Sequence, residues 1–424
     1  MPTAPPPEPN PLREGLEQER VPEASCLVIF GASGDLTQRK LVPGLYSLAH
    51  DGLLPAGQVI MGFARPEHTD ETFRAAMREA CEKHARTRPI DEAVWESFSR
   101  GLFYVRGEFG EHEGYVRLKA RLAELDKERG TGGRRIYYLA VPPDFFDDIA
   151  TSLGKEGMVT DPDRGGPYTR VIIEKPFGHD LESARELNEI AVKTFRERQV
   201  FRIDHYLGKE TVQNLMVLRF ANGIFEPFWN RQYIDHIQFT VAESIGVEKR
   251  GNYFETAGMT RDIIQNHMLQ LVSLVAMEPP SAFEANAVRD EKVKVLRTLR
   301  ELPLKAMDDV AVRGQYTEGS VLGEDAKGYR EEEKVDPHSN VETYAAVKVF
   351  IDNWRWADVP FYLRAGKRLP KRVTDISIHF RPAPHPLFSR LGIRTQPNVL
   401  AIRIQPDEGI SLKFDSKLPG PNVR

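Results

Sequence analysis

Three short stretches hold residues whose types and spacing could do chemistry. RIDHYLGKE (Arg202 to Glu210) packs an acid, a histidine, a tyrosine and a lysine into a few residues. Such a set can move a proton and hold an anion, because imidazole titrates near neutral pH and lysine carries a mobile point charge. RDIIQNHMLQ (Arg261 to Gln270) sets His267 between Ile263 and Leu271 at helical spacing. In isolation, a histidine on an apolar helix face is an ordinary hydrogen-bonded core residue. IIEKPFG (Ile172 to Gly178) puts Glu174 and Lys175 at the carboxyl end of an apolar run, just before Pro176. Ligands of open α/β sheets bind at that edge.

A fourth stretch, CLVIFGASGDLTQRKLVPGLYSL (Cys26 to Leu48), reads as a strand, a glycine corner and a helix. It departs from the Gly-x-Gly-x-x-Gly fingerprint, whose later glycines would fall at Ser33 and Leu36; glycine stands instead at Gly31 and Gly34. Gly31 permits positive φ where the chain must turn sharply. Gly34 leaves the backbone unobstructed where a phosphate would approach the first helical turn, whose N–H groups and dipole favour an anion. Ser33 and Thr37 add hydroxyl donors, and Arg39 and Lys40 add positive charge. A glycine turn before a helix is also plain strand-to-helix geometry, so the end of the second strand matters. There GFARPEH carries Arg65 where NAD enzymes usually place an acid for the ribose 2′-hydroxyl. A guanidinium grips a 2′-phosphate bidentately, so the expected cofactor is NADP.

The elements that must position these groups fall into two halves. From Ala24 to Ile203, β-rich runs (Cys26 to Phe30, Gln58 to Ala64, Leu102 to Val105, Arg135 to Val141 and Thr169 to Lys175) alternate with amphipathic helical stretches. Strands of that kind imply crossover connections and a doubly wound, Rossmann-like parallel sheet: an α/β domain over 24–203. Beyond it, helical segments follow one another (KETVQNLMVLRFAN, GMTRDIIQNHMLQLVSLVAME, ANAVRDEKVKVLRTL), and β-rich runs such as IDHIQFTVAES, TYAAVKVFID, ISIHFRP and NVLAIRIQP are grouped apart. This predicts an α+β domain over 204–424 with a large, mainly antiparallel sheet. GEDAKGYREEEKVDPHSN, charged and without apolar period, reads as a surface loop. Residues 1–23, rich in proline and charge, read as a solvated tail with no apolar signal region.

At 424 residues the chain is too long for one ordinary core. A formal net charge of -4 offers no broad attraction to nucleic acid or an anionic membrane. No apolar run reaches membrane-spanning length, so a cytoplasmic protein is expected. The two cysteines, Cys26 and Cys81, have neither a disulfide framework nor metal-ligand spacing, and Cys26 is expected to be a buried, inert thiol. No metal is expected.

Taken together, FGASGDL, YYLAVPP, EKPFG, RIDHYLGKE, RDIIQNH and VPFYLRAGKRL closely resemble the glucose-6-phosphate dehydrogenase family, in family order and over nearly all the chain beyond the tail. The resemblance implies oxidation of β-D-glucose 6-phosphate to 6-phosphoglucono-δ-lactone with NADP+, the opening step of the pentose phosphate pathway. It implies His267 as the base, oriented by Asp204, and a phosphate grip of His205, Tyr206 and Lys209, joined by Lys367 and Arg372. Glu243 and Asp262 match positions that bind the sugar hydroxyls, and Lys175 a position contacting both substrate and cofactor. For the cofactor it implies the corner residues Gly31, Ala32, Ser33, Gly34, Asp35 and Leu36, together with Arg65, Lys175 and Tyr138; Val141, Pro142 and Pro143 stiffen the loop over the nicotinamide. A homodimer or homotetramer follows from the same likeness. Family chains usually continue further, so the final strand is expected at an open edge with a sheet face uncovered. A non-catalytic NADP-binding regulatory relative, and a dehydrogenase for another hexose phosphate, are the competing readings.

Overall fold

The computed structural model describes residues 21–160, 165–175, 177–178, 180–321, 323–385 and 396–416. Most of the expected tail (1–20), Pro176 and the Pro-Gly turn after the last strand lie outside the described residues. The chain divides into two compact units, the first ending at Ile203 and the second beginning at Asp204.

The first unit is built on β1 (Cys26–Phe30), β2 (Val59–Ala64), β3 (Leu102–Arg106), β4 (Arg135–Leu139), β5 (Thr169–Ile173) and β6 (Val200–Arg202). Their order in the sheet is β3-β2-β1-β4-β5-β6, and every pair is parallel. This is a doubly wound sheet, whose order reverses between β1 and β4. Alternation along β1 shows why both faces are covered. Cys26, Val28 and Phe30 pack with the helices His112–Arg129 and Phe146–Lys155, while Leu27 and Ile29 pack with Val42–His50 and Asp70–His84. Each large apolar side chain buried this way contributes about 1.5–3 kcal/mol. The three-residue strand β6 has no counterpart in the sequence reading.

The second unit contains β7 (Ile234–Ala242), β8 (Ala311–Gly314), the short hairpin β9 (Gly319–Val321) and β10 (Glu324–Ala326), then β11 (Tyr344–Val349), β12 (Phe361–Gly366), β13 (Val373–Phe380), β14 (Val399–Gln405) and β15 (Gly409–Lys413). Seven of them form one sheet in the order β15-β14-β13-β7-β12-β11-β8. All its pairings are antiparallel except β7 with β12. β15 forms one edge of the described sheet.

Three side chains anchor the helix Leu269–Ala276 by satisfying carbonyls at its C-terminal end, where a helix leaves acceptors unpaired. The buried indoles of Trp229 and Trp356 donate to the carbonyls of Val275 (2.7 Å) and Ala276 (2.8 Å). The buried guanidinium of Arg219 donates to those of Leu274 and Met277, both at 2.8 Å.

Two local readings are corrected. The charged stretch after Leu322 is not simply a surface loop: it contains β10 and a turn at Tyr329–Glu331, with Tyr329 in the core and its hydroxyl on Glu255. A lone tyrosine among charges has no period to announce it. The segment around His267 is not a regular α-helix either, but a π-helical run over Thr260–Met268 that follows a break at Gly258. Among the described residues no helix is long and apolar enough to cross a membrane.

Candidate active site

Gly31 sits directly after β1 with φ +86°, and a Cβ there would press into the carbonyl oxygen of Ala140, just past β4. The corner thus lies at the point where the strand order reverses, with room for backbone alone. Gly34 has no left-handed requirement; its N–H donates to the Gly31 carbonyl (2.9 Å), and a Cβ would come within 3.1 Å of that oxygen. Among the described residues the N–H groups of Ser33, Asp35 and Leu36 meet no backbone acceptor, which suits a bound phosphate. That backbone and the exposed Ser33 fit a dinucleotide.

Other expected contributors are already engaged. Buried Thr37 donates its hydroxyl to the Gly31 carbonyl (3.1 Å), so it braces the turn rather than offering a donor outward. Arg39 pairs with Asp35 at 3.6 Å. Arg65 is exposed at the end of β2. The acid two residues further, Glu67, forms a 2.5 Å ion pair with Arg106. Tyr138, on β4, is buried with its hydroxyl bonded to Glu174; burial raises its pKa, and the carboxylate raises it further. Lys175 follows β5 and is half-buried. Cys26 is buried, and burial pushes its thiol pKa up.

In the second unit Nδ1 of His267 lies 2.7 Å from Oδ1 of Asp204. An ionised carboxylate only accepts, so Nδ1 is the donor and carries the proton. The same Asp204 oxygen accepts the N–H of Tyr206 at 2.9 Å. Burial pushes the Asp204 carboxyl up, but the hydrogen bond and charge of His267 and the Tyr206 N–H outweigh it, leaving the pKa below the usual range. The His267 side chain is only 1% exposed. Tyr206 lies flat on it, with ring centroids 4.1 Å apart and 15° from parallel, while His205 meets it edge-on at 4.5 Å. Donor atoms of Asp204, His205 and His267 lie within 4.8 Å of one another, a spacing a metal ion could bridge, but Asp204 and His267 are already bonded together.

Lys209 extends this group. Its ammonium sits 4.1 Å above the Tyr206 ring and donates to Oε1 of Gln405 at 2.8 Å. Burial lowers its pKa, and the charge of Arg372 lowers it further, which places the exposed Arg372 in the same electrostatic neighbourhood. Burial also raises the Tyr206 phenol to about 12, partly offset by a hydrogen bond with Thr374.

Lys367 is brought to Glu243, with which it forms a 2.5 Å ion pair. Register explains this: Ala242 faces Gly366 across β7 and β12, so the next residues on both strands meet. Asp262 is buried and accepts the Tyr253 hydroxyl at 2.9 Å. Tyr253, Gln405 and Thr374 escaped the sequence reading. Gln405 left one signal, a polar residue closing an apolar strand immediately before a proline.

A glycine corner at the switch point of a parallel sheet, and a histidine–aspartate pair with a lysine held over the tyrosine that stacks on it, are the equipment of a nicotinamide-dependent dehydrogenase. Comparison with known proteins narrows the class. The NAD binding domain of glucose-6-phosphate dehydrogenase matches residues 28–214, and the C-terminal domain of the same enzyme matches 216–424. The chain belongs to the glucose-6-phosphate dehydrogenase family. It is 50% identical over 401 residues to a glucose-6-phosphate 1-dehydrogenase of Chlamydia muridarum, spanning 93% of this chain and 78% of that one. It is 45% identical over 414 residues to glucose-6-phosphate 1-dehydrogenase 2 of Mycobacterium tuberculosis, spanning 97% and 80%. A solved glucose-6-phosphate dehydrogenase in complex with its substrate glucose 6-phosphate superposes with a TM-score of 0.85 at 38% identity, over 95% of this chain and 80% of that one.

Proposed function

We propose that this protein oxidises β-D-glucose 6-phosphate at C1 to 6-phospho-D-glucono-1,5-lactone, with NADP+ as acceptor, as the first step of the oxidative pentose phosphate pathway. The observation that carries the reading is the 2.7 Å hydrogen bond between buried His267 and Asp204, surrounded by His205, Tyr206 and Lys209. With Nδ1–H committed to Asp204, Nε2 is the basic nitrogen and takes the C1 hydroxyl proton. Asp204 stabilises the imidazolium that results. His205, Tyr206 and Lys209, with Arg372 alongside, hold the phosphate; Glu243 and Asp262 accept hydrogen bonds from sugar hydroxyls.

Lys367, paired with Glu243, serves in this scheme by orienting that carboxylate as well as by its charge. The corner Gly31–Leu36, Arg65, Tyr138 and Lys175 hold the cofactor, with Arg65 on the 2′-phosphate. NADP+, when bound, supplies the two-electron acceptor for the hydrogen at C1. The reading is tested by following NADPH absorbance with purified protein and a panel of hexoses and hexose phosphates. Turnover with glucose 6-phosphate well above its relatives is expected; no turnover with any of them would favour a non-catalytic binding role.

A further inference from the structure

The helix Gly251–Met259 is interrupted at Gly258, whose φ of 61° and ψ of 178° fall in a region essentially closed to other residues. The next segment, Thr260–Met268, carries both Asp262 and His267. Met259, at its start, provides no side-chain cap. Glu342, two residues before β11, does so from elsewhere in the chain. Its Oε1 accepts the Thr260 N–H at 2.9 Å and its main-chain oxygen accepts the Met259 N–H at 3.1 Å. The carboxylate fills the space beside the glycine, since a Cβ on Gly258 would lie 3.0 to 3.2 Å from its atoms.

The break has a consequence for the site. Tyr253 and Asp262 are nine residues apart, yet their side chains share a 2.9 Å hydrogen bond. In an unbroken helix that separation spans about 13–14 Å along the axis, beyond the reach of the two side chains. The contact therefore exists because the chain folds back at Gly258.

We infer that Glu342 is a positioning residue of the active site: it caps the broken helix at Thr260 and so fixes where His267, on the segment it caps, stands. A carboxylate suits the place, because the N-terminal end of a helix favours an acceptor with negative charge. The inference rests on the proposed role of His267 as base.

The test compares kcat in two backgrounds. In the otherwise unchanged chain, Glu342→Ala should lower kcat about 10–100-fold, the scale of a misplaced catalytic group. Glu342→Gln, which keeps the acceptor, should recover most of that loss. In a His267→Asn background, Glu342→Ala should change the residual kcat by less than about twofold, because the residue acts through a base already removed. A purely structural role would lower kcat by the same factor in both. If Glu342→Ala does not fold, Glu342→Asp, which keeps the charge and withdraws it by one methylene, carries the same comparison. Equal falls in both backgrounds, or a parental kcat in a folded Glu342→Ala or Glu342→Asp protein, overturn the inference alone. A parental kcat in His267→Asn overturns the base assignment and this inference with it.

Discussion

One oxygen of Asp204 holds two partners: Oδ1 accepts Nδ1–H of His267 at 2.7 Å and the backbone N–H of Tyr206 at 2.9 Å. The first bond joins positions 63 residues apart, and the second fixes the backbone that carries the Tyr206 ring onto the imidazole. A single carboxylate atom thus ties the orientation of the His267 imidazole to that of the Tyr206 ring stacked on it.

His267→Asn should leave glucose 6-phosphate binding nearly intact and lower kcat by about 10²–10⁴-fold, the usual worth of a general base. Asp204→Asn should also lower kcat, by removing the charge that stabilises the imidazolium and permitting the wrong tautomer. The two act as a unit, so the double variant should be much less impaired than the product of the single losses. Steady-state kinetics on all three proteins checks this; near-parental turnover in folded His267→Asn would return the histidine to a packing role.

The depressed pKa of Asp204 has a defined sign in stability. A carboxyl held lower in the folded chain than in the unfolded one stabilises above its unfolded pKa, and loses that contribution as pH falls through the folded value. Asp204→Asn should therefore flatten the acid side of a plot of Tm against pH, below the ordinary carboxylate range. An acid limb identical to the parent's would contradict the assignment.

Lys209→Ala should raise KM for glucose 6-phosphate and narrow its advantage over glucose. Because burial and Arg372 lower the lysine's pKa, its charge is lost at a lower pH than an ordinary lysine's. KM should accordingly climb with rising pH before the usual lysine range is reached. Lys209→Arg, charged throughout, should delay that climb. Kinetics across an alkaline pH series would show it, and a KM profile unaffected by either substitution would remove Lys209 from the site.

Arg65→Ala should weaken NADP+ by about 1.5–3 kcal/mol, the worth of a charge-assisted hydrogen bond, and NAD+ far less. Calorimetric titration with both nucleotides decides it, and equal weakening would contradict the 2′-phosphate role.

Gly31→Ala combines a left-handed φ with a Cβ driven into the Ala140 carbonyl. It should lower Tm and cofactor affinity together, with the φ strain alone costing about 1–2 kcal/mol. Thermal melts with and without NADP+ read both effects.

What the sequence made legible was local. Apolar runs marked β1 and β2, whose residues are all buried, and the glycine after β1 marked a turn that no side chain could enter. Pairings between distant strands were not legible, because a strand's pattern announces its faces and not its neighbour. Lys367 illustrates this: the basic run around it does not announce Glu243 as its partner, which the β7–β12 register delivers. Thr37 illustrates another limit, since a hydroxyl near a phosphate corner reads alike whether it faces outward or bonds inward to Gly31. The break at Gly258 was hidden because a glycine within a helical pattern does not show its φ.

β7 lies at the centre of its sheet, yet its two neighbours are β12 and β13, which begin at Phe361 and Val373. During synthesis on a ribosome, the strand Ile234–Ala242 must wait for more than a hundred further residues before either flank can form. The first unit, contiguous in sequence and complete at Ile203, has no such delay. The bond from Lys209 to Gln405 closes still later, across 196 residues. Nascent chains will therefore carry a finished parallel sheet and a still unpaired β7, and that interval is when a chaperone would be needed most.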